Sequence, residues 1–138
     1  MNKYEELTGT FVLVNPDLPN DTAGMQNHIG IITEVEIEND NIYVSFGKLG
    51  QGIYSADALL VLRKERPVYS FNEMDHITHI DTDNFVDILH VSMLAVSPSA
   101  KDRREAMEYA QYNDSIREYF MISLDEQLRT RQNYNMSR

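Results

Sequence analysis

The stretch Asp75-His76-Ile77-Thr78-His79-Ile80-Asp81-Thr82-Asp83 holds the residue types in this chain best suited to chemistry. Imidazoles beside carboxylates are suitable ligands for zinc, iron, nickel or manganese. His76 and His79 stand three apart, so a helix would bring them to nearly one face and a strand would oppose them. The interleaved Ile and Thr favour an extended or irregular path. His90, near Asp87 on the next helical segment, offers a third ligand. No established ligand spacing such as H-E-x-x-H is present. The expectation is therefore a polar connector whose acids cap the following helix. A metal-dependent enzyme built on His76, His79 and His90 is the alternative.

Other chemistries find less support. No G-x-S-x-G elbow is present to expose a nucleophile. Gly47-x-x-Gly50-x-Gly52 lacks the G-K-S/T ending of a phosphate loop and reads as a hairpin loop. Glu34 and Glu36 form a carboxylate pair on an exposed strand face, with no sign of the cleft a glycosidase needs. The chain has no cysteine, which removes disulfides, thiol nucleophiles and cysteine-based zinc sites. The expectation is no catalytic residue and no cofactor.

The elements that would position these residues come from period and punctuation. Thr10-Phe11-Val12-Leu13-Val14 is a β-rich run ended by Asn15-Pro16. Ile31, Thr33, Val35 and Ile37 alternate with Ile32, Glu34, Glu36 and Glu38, predicting one largely apolar face and one acidic face. Asn39-Asp40-Asn41 supplies residues that tolerate a tight hairpin turn. Ile42, Val44 and Phe46 then alternate with Tyr43 and Ser45. Ile53-Tyr54 begins a fourth run, Ser55-Ala56-Asp57-Ala58 breaks it, and Leu59-Leu60-Val61-Leu62 makes a fifth. Curling five short strands into a closed barrel would bury the apolar face and limit exposed edges.

Thr8-Gly9-Thr10-Phe11-Val12-Leu13-Val14, followed by Ile29-Gly30-Ile31-Ile32, resembles the Gly-x-x-Val-x-Val and Gly-x-Ile pattern of Src-homology-3-like small barrels. KOW-type and Tudor-type domains belong to the same broad group. The likeness continues through Val44-x-Phe46, Gly52-x-Tyr54 and Leu59-x-x-Leu62, and spans residues 8–65. It implies a small barrel and no activity, because these are turn glycines and core aliphatics. RNA-binding KOW-type domains carry basic residues near the glycine loop, whereas this chain reads Gln26-Asn27-His28-Ile29-Gly30. Peptide-binding Src-homology domains use a tryptophan, and this chain has none.

Past Arg66-Pro67 the period becomes helical. The predicted organisation is a barrel over 1–66, a connector with a possible added edge strand over 67–80, a helical region over 81–132 and a tail over 133–138. Phe85, Ile88, Leu89, Ser92, Met93 and Val96 form one mostly apolar helix face. Asp81 or Thr82 caps that helix, and Ser97-Pro98 ends it. Ala100, Met107 and Ala110 mark a second helix. Ser115 with Glu118 fits a capping box for a third, whose inner face is Ile116, Phe120, Leu124 and Leu128. Met121 and Ile122 lie off that stripe, as core filling or as an interface with a partner or a second copy. The fold class expected is α+β, a five-stranded barrel followed by three helices.

Charge narrows the function. The formal net charge is −10. Residues 1–66 carry ten acids against five bases, residues 67–97 five acids and no base, and residues 98–138 seven of each. Nucleic-acid affinity depends largely on Lys and Arg at phosphates, so direct nucleic-acid binding is not expected. A mimic of nucleic-acid charge, or a KOW-like nucleic-acid-associated protein, is a further alternative. No apolar run approaches the ~20 residues a membrane helix needs, and the amino terminus lacks a secretory apolar core. The expectation is a cytoplasmic, non-enzymatic interaction protein. Its candidate binding residues are the aromatics Tyr43 and Tyr54 and the acidic face of Glu34, Glu36 and Glu38, which favours a basic protein partner. A homo-oligomer remains open.

Overall fold

In a computed structural model of the chain, the residues described are 5–63 and 82–129. The fold is α+β. The strands are β1 (Phe11–Val14), β2 (Ile29–Glu36), β3 (Asn41–Ser45), β4 (Gln51–Tyr54), β5 (Leu59–Leu62) and β6 (Met121–Ser123). The helices are α1 (Thr82–Ala95), α2 (Ala100–Tyr112), α3 (Asp114–Phe120) and α4 over residues 124–129. Short 3-10 turns sit at Glu5–Leu7, Ile37–Asn39, Gly47–Leu49 and Ala56–Ala58. The chain divides into two compact units, one of residues 1–62 with 121–138 and one of residues 63–120.

The first unit is an open antiparallel sheet in the order β4-β3-β2-β1-β5-β6. This corrects the closed five-stranded barrel. A sixth strand, supplied by the carboxy-terminal part of the chain, occupies the free side of β5, pairing Leu60 with Ser123 and Leu62 with Met121. The expected third helix therefore does not run through to Leu128. It stops at Phe120, becomes β6, and resumes as α4, making four helices among the described residues instead of three. Ile116, Phe120, Leu124 and Leu128 are all buried as their spacing predicts. The first two sit on α3 and the last two on α4, because β5's unpaired backbone groups are satisfied by a strand where a helix would leave them open.

One face of the sheet carries the core of this unit. Val12, Val14, Ile32, Val35, Ile42, Val44, Leu59 and Val61 pack there with Tyr54, Leu124 and Leu128. In β3 the predicted alternation holds, with Ile42 and Val44 buried between half-buried neighbours. In β2 it does not. Ile32 and Val35 are buried while Ile31 and Thr33 are exposed. The cause is a β-bulge between Ile32 and Glu34, where Thr33 and Glu34 together oppose Tyr43. One extra residue reverses which side the remaining side chains take, so a strictly two-residue period fails across it. Gly30 is required by close packing, since a Cβ there would lie 2.4 Å from Val44 Cγ1 and 2.9 Å from the Ser45 carbonyl oxygen. Asp40 takes the left-handed conformation in the β2–β3 turn (φ 53°), as its residue type allows.

In the second unit α1 buries Ile88, Val91 and Ala95. Of the expected face Ile88 is buried, whereas Leu89, Met93 and Val96 are 43%, 72% and 65% exposed. A rotation of one residue around the helix separates the two stripes. Ser99 caps α2, accepting from the Asp102 N–H at 3.4 Å. Ala106, Met107 and Ala110 form its buried side. Asn113, not Ser115, caps α3, its Oδ1 accepting from the Ile116 N–H at 3.1 Å. The expected connector, including any strand over 67–80, the Asp81 cap and the tail all lie outside the described residues.

Candidate functional site: the outer face of the sheet

The face of β2, β3 and β4 turned away from the core is built by cross-strand register. Tyr43 stands opposite Glu34 on β2 and Ile53 on β4, and Ser45 opposite Ile31 and Gln51. Because β3 alternates cleanly, Tyr43 must leave the core side when Ile42 and Val44 enter it. The bulge at Thr33 then sets Glu34 beside Tyr43. Thr33 Oγ1 donates to the Tyr43 carbonyl at 3.3 Å and secures the bulge.

Glu36 accepts a hydrogen bond from the Tyr43 hydroxyl. That bond is the chief reason the phenol holds its proton above the ordinary tyrosine range, with desolvation and the charges of Glu36 and Glu34 adding to it. Tyr43 is thereby fixed as a neutral platform beside two carboxylates. Ile53 is 57% exposed, and Ile31 lies at 36% on the same face. Glu34 and Glu38 are exposed, Glu38 in the 3-10 turn that follows β2. The arrangement offers an aromatic ring, an aliphatic side chain and negative charge at adjacent positions. Chemically it can hold the stem of a long cationic side chain and pair with its head group.

The candidate residues separate by position. Tyr43, Glu34 and Glu36 come together with Ile53, which the sequence reading did not single out. Its exposure follows from its pairing with Tyr43, information that exists only once the strands are in register. Tyr54 goes to the opposite face and is 5% exposed. Its ring meets Phe46 edge-on at 6.2 Å, and its hydroxyl donates to Asp21 Oδ2 at 2.9 Å. Burial, and then the Asp21 carboxylate, push its pKa upward. Met121 is buried in β6 and Ile122 is half-buried against the sheet core.

Asp21 was not anticipated as a structural hub. Desolvation is the largest influence on its carboxyl and acts to raise its pKa. The N–H groups of Met25, Ala23 and Gly24 and the Tyr54 hydroxyl together outweigh it, so the pKa lies below the usual carboxylate value. The Ala23 and Met25 bonds measure 2.9 and 2.8 Å. Asp21 thereby ties the loop between β1 and β2 to β4. The sequence signal was an aspartate four residues before Met25 in a turn-rich segment, a common local motif with no indication of its distant tyrosine.

His76 and His79 lie outside the described residues. His90 is exposed on α1, its Nδ1 3.1 Å from the Tyr109 hydroxyl and its ring edge-on to Tyr109 at 5.5 Å. Among the described residues no group of three or more His, Cys, Asp or Glu side chains is placed to hold a metal ion. Nor is any helix among them long and apolar enough to cross a membrane. No protein family, curated protein or solved structure matches the chain.

Proposed function

We propose that the protein is an interaction module that binds a basic protein segment on the outer face of β2, β3 and β4. One observation carries this reading: the register places Tyr43 between Glu34 and Ile53, with Glu36 bonded to its hydroxyl. Such a face combines apolar contact with charge of one sign, and its affinity for a cationic partner falls as salt rises. The meander β1 to β4, with β5 returning beside β1, supports placing the first five strands with the Src-homology-3-like group. The excess of acids in residues 1–66 agrees with a basic partner.

The test is capture of partners on immobilised protein, compared with a Glu34→Lys, Glu36→Lys, Glu38→Lys variant at low and high salt. The captured partner should be lost from the variant, and from the wild type as salt is raised. Equal capture by both proteins discards the acidic-face reading.

A further inference from the structure

The register turns the outer face of β2, β3 and β4 into a grid. One row crosses the strands as Glu34, Tyr43 and Ile53, and the next as Ile31, Ser45 and Gln51. The second row continues onto β1, where Phe11 stands opposite Ile31. Successive outward residues of β3 are two apart, so the rows lie about 7 Å from each other. Among the described residues Ile31 and Ile53 are 36% and 57% exposed, Gln51 is exposed, and Phe11, Tyr43 and Ser45 are half-buried.

The two rows differ in chemistry. Beside the first, Glu36 adds a second carboxylate to Glu34 and accepts from the Tyr43 hydroxyl. Glu38 carries the charge past the end of β2. The second row holds no charge. Its middle member, Ser45, has the shortest side chain in either row, and its Oγ accepts from the Gly47 N–H at 3.3 Å. A short side chain between Ile31 and Gln51, with Tyr43 the next outward residue on β3, leaves a hollow walled by an aliphatic chain and an aromatic ring. An apolar side chain gains there by removing surface from water.

We infer that this face binds an extended segment in which a basic and an aliphatic residue stand two positions apart. The basic residue lies over Tyr43 against Glu34 and Glu36, and the aliphatic one sits over Ser45 beside Ile31. The inference rests on the basic-segment reading above and adds a second subsite to it. Charge complementarity argues the occupant, since the acids border the first row and the second has none. In an extended segment, residues two apart share a side at a separation of about 7 Å, which matches the rows. Adjacent residues point to opposite sides, so only one of them reaches the sheet. Salt weakens the cationic contact and leaves the aliphatic one in place.

Three peptides of one composition test it by titration into isotopically labelled full-length protein, followed through the amide signals of Tyr43 and Ser45. They are Gly-Lys-Ser-Leu-Gly, Gly-Leu-Ser-Lys-Gly and Gly-Lys-Leu-Ser-Gly, with both ends blocked so that lysine is the only charge. The better of the two spaced peptides should bind about fivefold more tightly than the adjacent one. Ile31→Ser removes a wall of the hollow and Ser45→Gln fills it. Either should erase the preference while the adjacent peptide keeps its affinity, a retention that a misfolded variant would not show. Equal binding of all three peptides by the wild type overturns the inference and leaves the basic-segment reading standing. So does a preference that survives both variants. Binding that is indifferent to Glu34→Lys with Glu36→Lys, or no binding of any peptide, removes the basic-segment reading and this inference with it.

Discussion

The sheet unit and the helical unit satisfy the same physical requirements in different ways. In the sheet unit, polar groups reach far along the chain: Tyr54 to Asp21, and the Ala56 N–H to Asp40 Oδ1 at 3.0 Å. In the helical unit most polar bonds are local, such as Ser92 Oγ to the Ile88 carbonyl at 2.7 Å and Arg117 to the Ala110 carbonyl at 3.0 Å. Burial differs as well. The sheet core is a connected set of branched side chains closed by β6 and α4. The helical unit shows Val86, Leu89, Met93, Val96 and Tyr112 to solvent. A sheet must bring distant segments together before it can bury anything, so its polar contacts are long-range by construction. Helices complete their backbone bonds alone and can leave an apolar stripe unused.

The sharpest way to break this comparison is to remove side chains from each unit. Ile42→Ala, in the middle of the sheet core, should lower the unfolding free energy by about 2–5 kcal/mol in urea titrations. Met93→Ala, at an exposed position, should change it by no more than about 0.5 kcal/mol. Equal losses would mean that the α1 stripe is covered in solution and that the contrast is false.

Backbone crowding comes next in size. Gly30→Ala places a methyl group against Val44 and the Ser45 carbonyl, and the carbonyl cannot move without disturbing β3. The expected cost is about 1–3 kcal/mol. A neutral result would show that β2 and β3 are spaced more widely than the bulge and register imply.

The smallest effect concerns the long-range polar contacts. Tyr54→Phe should cost about 1 kcal/mol through loss of the bond to Asp21. The Asp21 carboxyl has a folded pKa below its unfolded value. Its contribution is thus present above about pH 4 and disappears as the pH falls through the lower folded value. Asp21→Asn should therefore flatten the acid limb of a stability–pH curve measured by thermal melts. A limb of unchanged steepness would remove Asp21 from the role assigned to it.

Much of the first unit was legible because a period of two is a local property. Ile42, Val44 and Phe46 against Tyr43 and Ser45 needed only neighbouring residues to be read. The candidate face was half legible. Glu34, Glu36 and Tyr43 were marked by charge and aromaticity, but nothing local assigned Tyr54 to the core or Ile53 to the surface. The assignment of β2 failed at Thr33, since a bulge is defined by the partner strand and leaves little trace in composition. For α1, two apolar stripes one residue apart carry similar signals, and only packing selects between them.

By itself, then, the order of residues determined where the first five strands and the first two helices form, that the Asn39-Asp40-Asn41 turn accepts left-handed backbone, and where negative charge accumulates. Tertiary structure decided that Met121–Ser123 is a strand, that the sheet stays open, and that Tyr43 and Tyr54 face opposite ways. The physical reason is range. Side-chain period and turn chemistry act over a few bonds, whereas the state of a three-residue segment depends on whether a distant edge has hydrogen bonds left to make.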